Sequence, residues 1–170
     1  HGYLGKDVCD ANEDSMRIIS KGLLENGVTG YLPTTMTVDM EVIKGALEVC
    51  GSLMEESKNF DGSTILGVHA EGPFISESKK GAQDPRYILK PDADFVLENA
   101  DIITSITLAP EMDKDHACIK KLAKESNVLI SMGHTDASYD EAMSAARDGM
   151  KHATHLFNAM SPLAHRNPGV

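Results

Sequence analysis

Apolar strand-like runs alternate with helix-like segments along the whole chain, and this alternation narrows the fold more than any other feature. Strand onsets fall near residues 28, 65, 102, 128 and 152. Residues 12–26 read as a helix, with Met16, Ile19, Leu23 and Leu24 on one stripe and Gly27 as its stop. Thr37 is a candidate N-cap for a second helix, in which Ile43, Leu47, Cys50 and Met54 recur at helical spacing. Further helices are expected over 93–99 and 115–125, and over a segment opened by a Ser138–Glu141 capping box and stopped at Gly149. Residues 74–90 form a polar connection longer than a simple turn needs.

Apolar strands separated by helices predict a parallel sheet covered by helices on both faces. Two architectures fit: an open doubly wound sheet and a closed (β/α)8 barrel. No G-x-G-x-x-G turn and no P-loop pattern occurs. Polar groups at several different strand ends favour the barrel, whose active sites occupy that face. A complete barrel takes roughly 250 residues, so the 170 residues here correspond to about five to six βα units of an incomplete TIM-type barrel. With 41% hydrophobic content and no linker, residues 1–170 read as one domain.

The net charge of −10 argues against a nucleic-acid partner, which requires clustered Lys and Arg. Cys9, Cys50 and Cys118 are widely spaced with no Cys-x-x-Cys pair, which reads as reduced thiols and a cytoplasmic location. No apolar run approaches the roughly 20 residues of a membrane span, and no basic-then-apolar leader opens the chain.

Three expected strands end in residues that can hold a divalent metal: Glu71 after 65–70, His134 after 128–133, and His155 after 152–154. One carboxylate and two imidazoles leave a coordination position free for water. His69 lies two residues before Glu71 and shares its face. Taken singly, His134 reads equally well as a hydrogen-bonded loop residue. A second histidine at the equivalent place one βα unit later, His155, raises the metal reading. His152 is expected to face away and be structural, His116 to lie inert on an exposed helix face, and His165 to sit in a solvated loop. Arg166, in an otherwise acidic chain, suggests an anionic group on the ligand.

Several segments occur in a fixed order: Gly67–Phe74 (GVHAEGPF), Lys79–Ala82 (KKGA), Leu108–Glu111 (LAPE), Gly133–Thr135 (GHT), Ala153–Met160 (ATHLFNAM) and Arg166–Gly169 (RNPG). Together they resemble the N-acetylglucosamine-6-phosphate deacetylase family of the amidohydrolase superfamily, over nearly the whole chain. The resemblance implies a (β/α)8 barrel that hydrolyses the acetamide of N-acetylglucosamine 6-phosphate to glucosamine 6-phosphate and acetate. It implies Glu71, His134 and His155 as metal ligands and one or two ions, and two imidazoles with one carboxylate accept Zn or Fe alike. His1 resembles the second histidine of a His-x-His pair that serves a second ion. His69 becomes a supporting contact behind the ligands. Ala82, Asn158, Ala159 and Arg166 are implied as contacts to the sugar phosphate, Arg166 across a homodimer interface. The family's catalytic Asp belongs to a later strand that these residues do not include, so the chain resembles an internal piece, expected to be inactive alone. Two alternatives stand beside this reading: another amidohydrolase acting on a cyclic amide, and a sugar-phosphate-binding protein without chemistry.

Overall fold

The computed structural model describes residues 1–170. The chain opens on an antiparallel hairpin, β1 (Gly2–Tyr3) with β2 (Lys6–Asp7), which the alternation pattern did not foreshadow. Helix α1 (Glu13–Glu25) begins where the Asn12 side chain accepts the Ser15 amide at 3.1 Å. Glu13 and Asp14 in its first turn complement the helix dipole. Its apolar stripe buries Met16 and Ile19, and Gly27 follows its end in the left-handed region at φ +83°.

Strand β3 (Gly30–Tyr31) is shorter than expected, and α2 (Met40–Met54) starts two residues later than the Thr37 cap predicted. Asp39 supplies the cap instead, accepting the Glu41 amide at 2.9 Å. Thr37 is buried, and its amide donates to the Gln83 side chain at 2.5 Å. That contact uses the Thr37 amide and not the hydroxyl that would have capped the helix.

The expected strand over 65–71 is divided into β4 (Thr64–Ile65) and β5 (Val68–Glu71). Gly67 sits between them at φ +133°, and a Cβ there would lie 1.7 Å from the Thr104 hydroxyl. Strand β3 pairs in parallel with β4, Gly30 with Thr64 and Tyr31 with Ile65, and the same segment then bridges β5 through Thr34 and His69. The offset changes from 34 (64 − 30) to 35 (69 − 34), so one bulge residue interrupts an otherwise continuous pairing.

The remainder is α3 (Ala93–Glu98), β6 (Ile103–Leu108), α4 (Ala117–Glu125), β7 (Leu129–Met132), α5 (Tyr139–Asp148) and β8 (His152–Ala153). Strands β5, β6, β7 and β8 pair in that order, all in parallel. The order never reverses. Right-handed crossovers in such a sheet all fall on one face, which corrects the expectation of helices on both. Period-two burial agrees: Val68, Ala70, Ile106, Leu108, Ile130 and Met132 point into the helix-covered core. His69, Glu71, Ser105, Thr107 and Ser131 point to the other face. The Ser138 capping box opens α5 and Gly149 closes it, both as the sequence indicated. No helix is long and apolar enough to cross a membrane.

Candidate metal centre

Glu71 is the last residue of β5, whereas His134 and His155 lie two residues beyond β7 and β8, in the turns rather than at the strand ends expected for them. Both have left-handed backbone, φ 48° and 32°. Phe157 and Ala159 follow at φ 75° and 51°. Left-handed backbone at non-glycine residues costs about 1–3 kcal/mol each and concentrates at functional sites. Gly133 permits the first turn, because a Cβ there would lie 2.7 Å from Thr107 and 2.9 Å from Thr154.

These turns converge the side chains. The His134 Nε2 lies 2.8 Å from Glu71 Oε1, the His155 Nε2 3.5 Å from the same oxygen, and the two Nε2 atoms 3.2 Å apart. The other nitrogen of each ring is committed. His134 Nδ1–H donates to the Lys79 carbonyl at 2.8 Å, and His155 Nδ1–H to the Asn158 carbonyl at 2.9 Å. A carbonyl can only accept, so a neutral ring presents a bare lone pair at Nε2. Two lone pairs and a carboxylate oxygen facing one another repel unless a positive charge sits among them. Ligand atoms about 2.0–2.1 Å from zinc at tetrahedral angles stand about 3.3 Å apart, close to the Nε2–Nε2 separation. The donor set therefore fits a divalent cation, with both rings oriented from behind as metal-binding histidines are.

The protonation equilibria point the same way. Burial pushes the Glu71 carboxyl up, but hydrogen bonds from His1 and His134 outweigh it and hold the pKa far below the usual carboxylate range. Burial opposes charging of His134, yet the bonds to Glu71 and the Lys79 carbonyl raise its pKa. The cluster stabilises positive charge between the carboxylate and the rings. His1 joins it from the hairpin, its Nε2 3.4 Å from Glu71 Oε2, and that contact raises its own pKa.

His69 is held behind the trio by hydroxyls. Its Nε2 lies 2.7 Å from Thr107 Oγ1 and its Nδ1 3.3 Å from Thr34 Oγ1. Thr34 donates to the Leu32 carbonyl, so its oxygen accepts from the His69 Nδ1–H, and Nε2 accepts from Thr107. The same logic continues through Thr154, Ser131 and the Nδ1–H of His152, at 2.6, 2.6 and 2.9 Å. One directed chain of hydrogen bonds thus crosses the sheet beneath the ligands. Neither nitrogen of His69 is free, and burial lowers its pKa and keeps the ring neutral. His152 does not face away as expected: it pairs with Ser131 and bonds it on the polar face, as the far end of this hydrogen-bond chain. His116 does not lie on an exposed helix face: it is half-buried in the left-handed turn before α4, with Nδ1 2.8 Å from Asp148 Oδ2.

The residues assigned to the ligand are dispersed. Ala82 is exposed in the 74–90 connection. Asn158 and Ala159 lie in the turn after β8, where the first orients His155 and the second accepts the Thr135 amide at 3.1 Å. Arg166 is exposed and lines a separate cleft of about 550 Å³ with Asp136, Ser138, Tyr139 and Asp140. That cleft contains none of the three metal-ligand candidates. Sequence reasoning missed Gln83. It is buried, its amide oxygen is fixed by the Thr37 N–H, and its NH2 turns to His134 Nε2 at 3.4 Å. A lone Gln in a polar loop carries no periodic signal, and its position directly after Ala82 was the only pointer.

No protein-family model matches the chain. Among curated proteins, the N-acetylglucosamine-6-phosphate deacetylase of Bacillus subtilis is 39% identical over 175 residues, covering 100% of this chain and 44% of that protein. The crystal structure of N-acetylglucosamine-6-phosphate deacetylase from Pasteurella multocida superposes with a TM-score of 0.85 at 37% identity, over 95% of this chain and 42% of that one. A mutant of the Mycobacterium smegmatis enzyme, solved in complex with N-acetyl-D-glucosamine-6-phosphate, gives 0.83 at 30% identity, over 99% of this chain and 44% of that one. Over its whole length the chain is homologous to part of N-acetylglucosamine-6-phosphate deacetylases, and it spans less than half the length of the relatives it matches.

Proposed function

We propose that this chain carries the metal-binding part of an N-acetylglucosamine-6-phosphate deacetylase, which hydrolyses the acetamide to glucosamine 6-phosphate and acetate. The observation that carries the reading is the pair of imidazoles turned lone pair first onto one buried carboxylate, each fixed by a backbone carbonyl. Glu71, His134 and His155 hold the ion, either Zn or Fe. When bound, such an ion lowers the pKa of a coordinated water and polarises the amide carbonyl.

The chain's own residues do the rest of the holding. His1 is placed against the free oxygen of Glu71, where it either hydrogen-bonds that oxygen or serves a second ion. His69 and its hydroxyl chain fix the strand ends from below. Ala82, Asn158 and Ala159 contact the sugar phosphate, partly through backbone groups, and Arg166 grips the phosphate across a homodimer interface. The separate Arg166 cleft supports that arrangement, because the guanidinium does not reach into its own chain's trio. Only Glu71 among the carboxylates contacts the two ligand imidazoles, and it is itself a ligand. The family resemblance assigns the proton transfers to an Asp of a later strand that these 170 residues do not include, so on this reading the chain alone binds without turnover.

Residues 1–170 form one domain, a run of consecutive βα units of a (β/α)8 barrel. The unreversed strand order and the polar inner face support this. The setting is cytoplasmic. Assays of the full-length protein on the 6-phosphorylated and the unphosphorylated acetylated sugar test the reading. Acetate release that requires the phosphate supports it. Hydrolysis of a cyclic amide instead indicates another amidohydrolase, and sugar-phosphate binding without chemistry indicates a binding protein; either overturns it.

A further inference from the structure

Glu111 is half-buried and has no cationic partner, yet both of its carboxylate oxygens are engaged. Its Oε2 accepts the Thr135 hydroxyl at 2.5 Å and its Oε1 accepts the Asp136 amide at 2.6 Å. Both partners belong to the turn that begins at His134. The Thr135 oxygen also accepts the Ala137 amide at 3.0 Å, so one side-chain pair spans the whole turn. The carboxylate is carried on the short 3-10 turn Pro110–Met112, directly after β6, and the Ala109 amide ties that turn to the Phe74 carbonyl at 2.9 Å.

The clamped turn reaches both rings. The Thr135 amide donates to the Ala159 carbonyl, in the turn that holds His155. Asp136, gripped at its amide by Glu111, pairs through Oδ1 with the Lys79 ammonium at 3.1 Å, and Lys79 supplies the carbonyl that orients His134. Hydrogen bonds to an ionised acceptor are shorter and stronger than neutral ones, and a carboxylate spent wholly on neutral donors is suited to fixing a backbone. We propose that Glu111 is a positioning residue that holds the left-handed turn at His134, and through it the spacing of the two imidazoles. This rests on the reading of Glu71, His134 and His155 as metal ligands.

Zn2+ affinity by calorimetry and melting temperature without metal, measured on the 170-residue chain and three variants, test it. Glu111→Ala is expected to raise the Zn2+ Kd roughly 10–100-fold, the range seen when contacts behind a metal ligand are removed. Glu111→Gln keeps an oxygen for the Asp136 amide and is expected to lose less. Asp113→Ala, two residues on, removes the cap of the Cys118 and Ile119 amides. It is expected to lower the melting temperature and leave Kd unchanged. If Glu111→Ala does not fold, Glu111→Gln carries the test by the same comparison. Variants that bind Zn2+ as the parent does, while only their melting temperature falls, overturn the role of Glu111 alone. A parent chain that takes up no Zn2+ overturns the metal reading and the inference with it.

Discussion

His134 and His155 present the same atom to the same carboxylate, but the chain holds them in opposite ways. His134 is buried, bonded at Nδ1 to Lys79, faced by Gln83, and its own carbonyl accepts the Ser76 amide at 2.9 Å. His155 is exposed, and its only hydrogen bonds from behind come from its own turn, where Leu156 and Phe157 are also open to solvent. One imidazole is built into the sheet and the long connection above it. The other depends on a strained turn past the last strand. The site thus has a firm half, Glu71 with His134, and a soft half at His155.

The largest expected effect tests the firm half. Glu71→Ala removes the shared oxygen, and Zn2+ affinity should fall by more than the roughly 100-fold associated with losing a supporting contact; calorimetry reads this directly. His134→Ala and His155→Ala then separate the halves without metal. The first leaves the Lys79 carbonyl and Glu71 short of a partner in a buried place and should cost about 1–3 kcal/mol in urea unfolding. The second should stay within about 0.5 kcal/mol, as surface changes do. Equal losses would erase the comparison.

The pH dependence of stability gives a smaller effect with a definite sign. The pKa values of His134 and His1 are raised in the fold, so their contribution is fully present below the unfolded value near 6.5 and is lost as pH rises through the folded values. Glu71 is lowered, so its contribution is present above the unfolded carboxylate value and is lost progressively as pH falls from there toward the folded value. Without metal the chain should therefore weaken above about pH 6.5, while Zn2+ affinity strengthens over the same range as the rings lose their protons. Denaturant midpoints at a series of pH values, with and without Zn2+, check both slopes. The smallest effect belongs to the soft half: Phe157→Ser, at a side chain 70% exposed, should change stability by no more than about 0.5 kcal/mol.

The same division explains what could be read from sequence. His134 and His155 were expected at strand ends but lie in the turns two residues beyond. Glu71 was legible as the polar end of a strand, and so was the Ser138–Glu141 box that opens α5. The interruption at Gly67 was not, because Thr104, 37 residues away (104 − 67), sets it. Nor was the shift of the α2 cap from Thr37 to Asp39. The pairing of His116 with Asp148 spans 32 residues and leaves no periodic trace. The 74–90 connection looked merely long and polar. In the fold it supplies Lys79 and Gln83 to the centre, through a backbone carbonyl and a side-chain amide that no motif spacing announces.

The central claim is that two imidazoles and one carboxylate bind the same ion. X-ray absorption at the zinc edge of the Zn2+-loaded chain tests it most directly. The account predicts two imidazole nitrogens about 2.0–2.1 Å and carboxylate oxygen about 2.0–2.2 Å from the ion, with one imidazole signal lost in His134→Ala. A first shell containing thiolate sulfur from Cys9, Cys50 or Cys118, or one unchanged in His134→Ala, would contradict it.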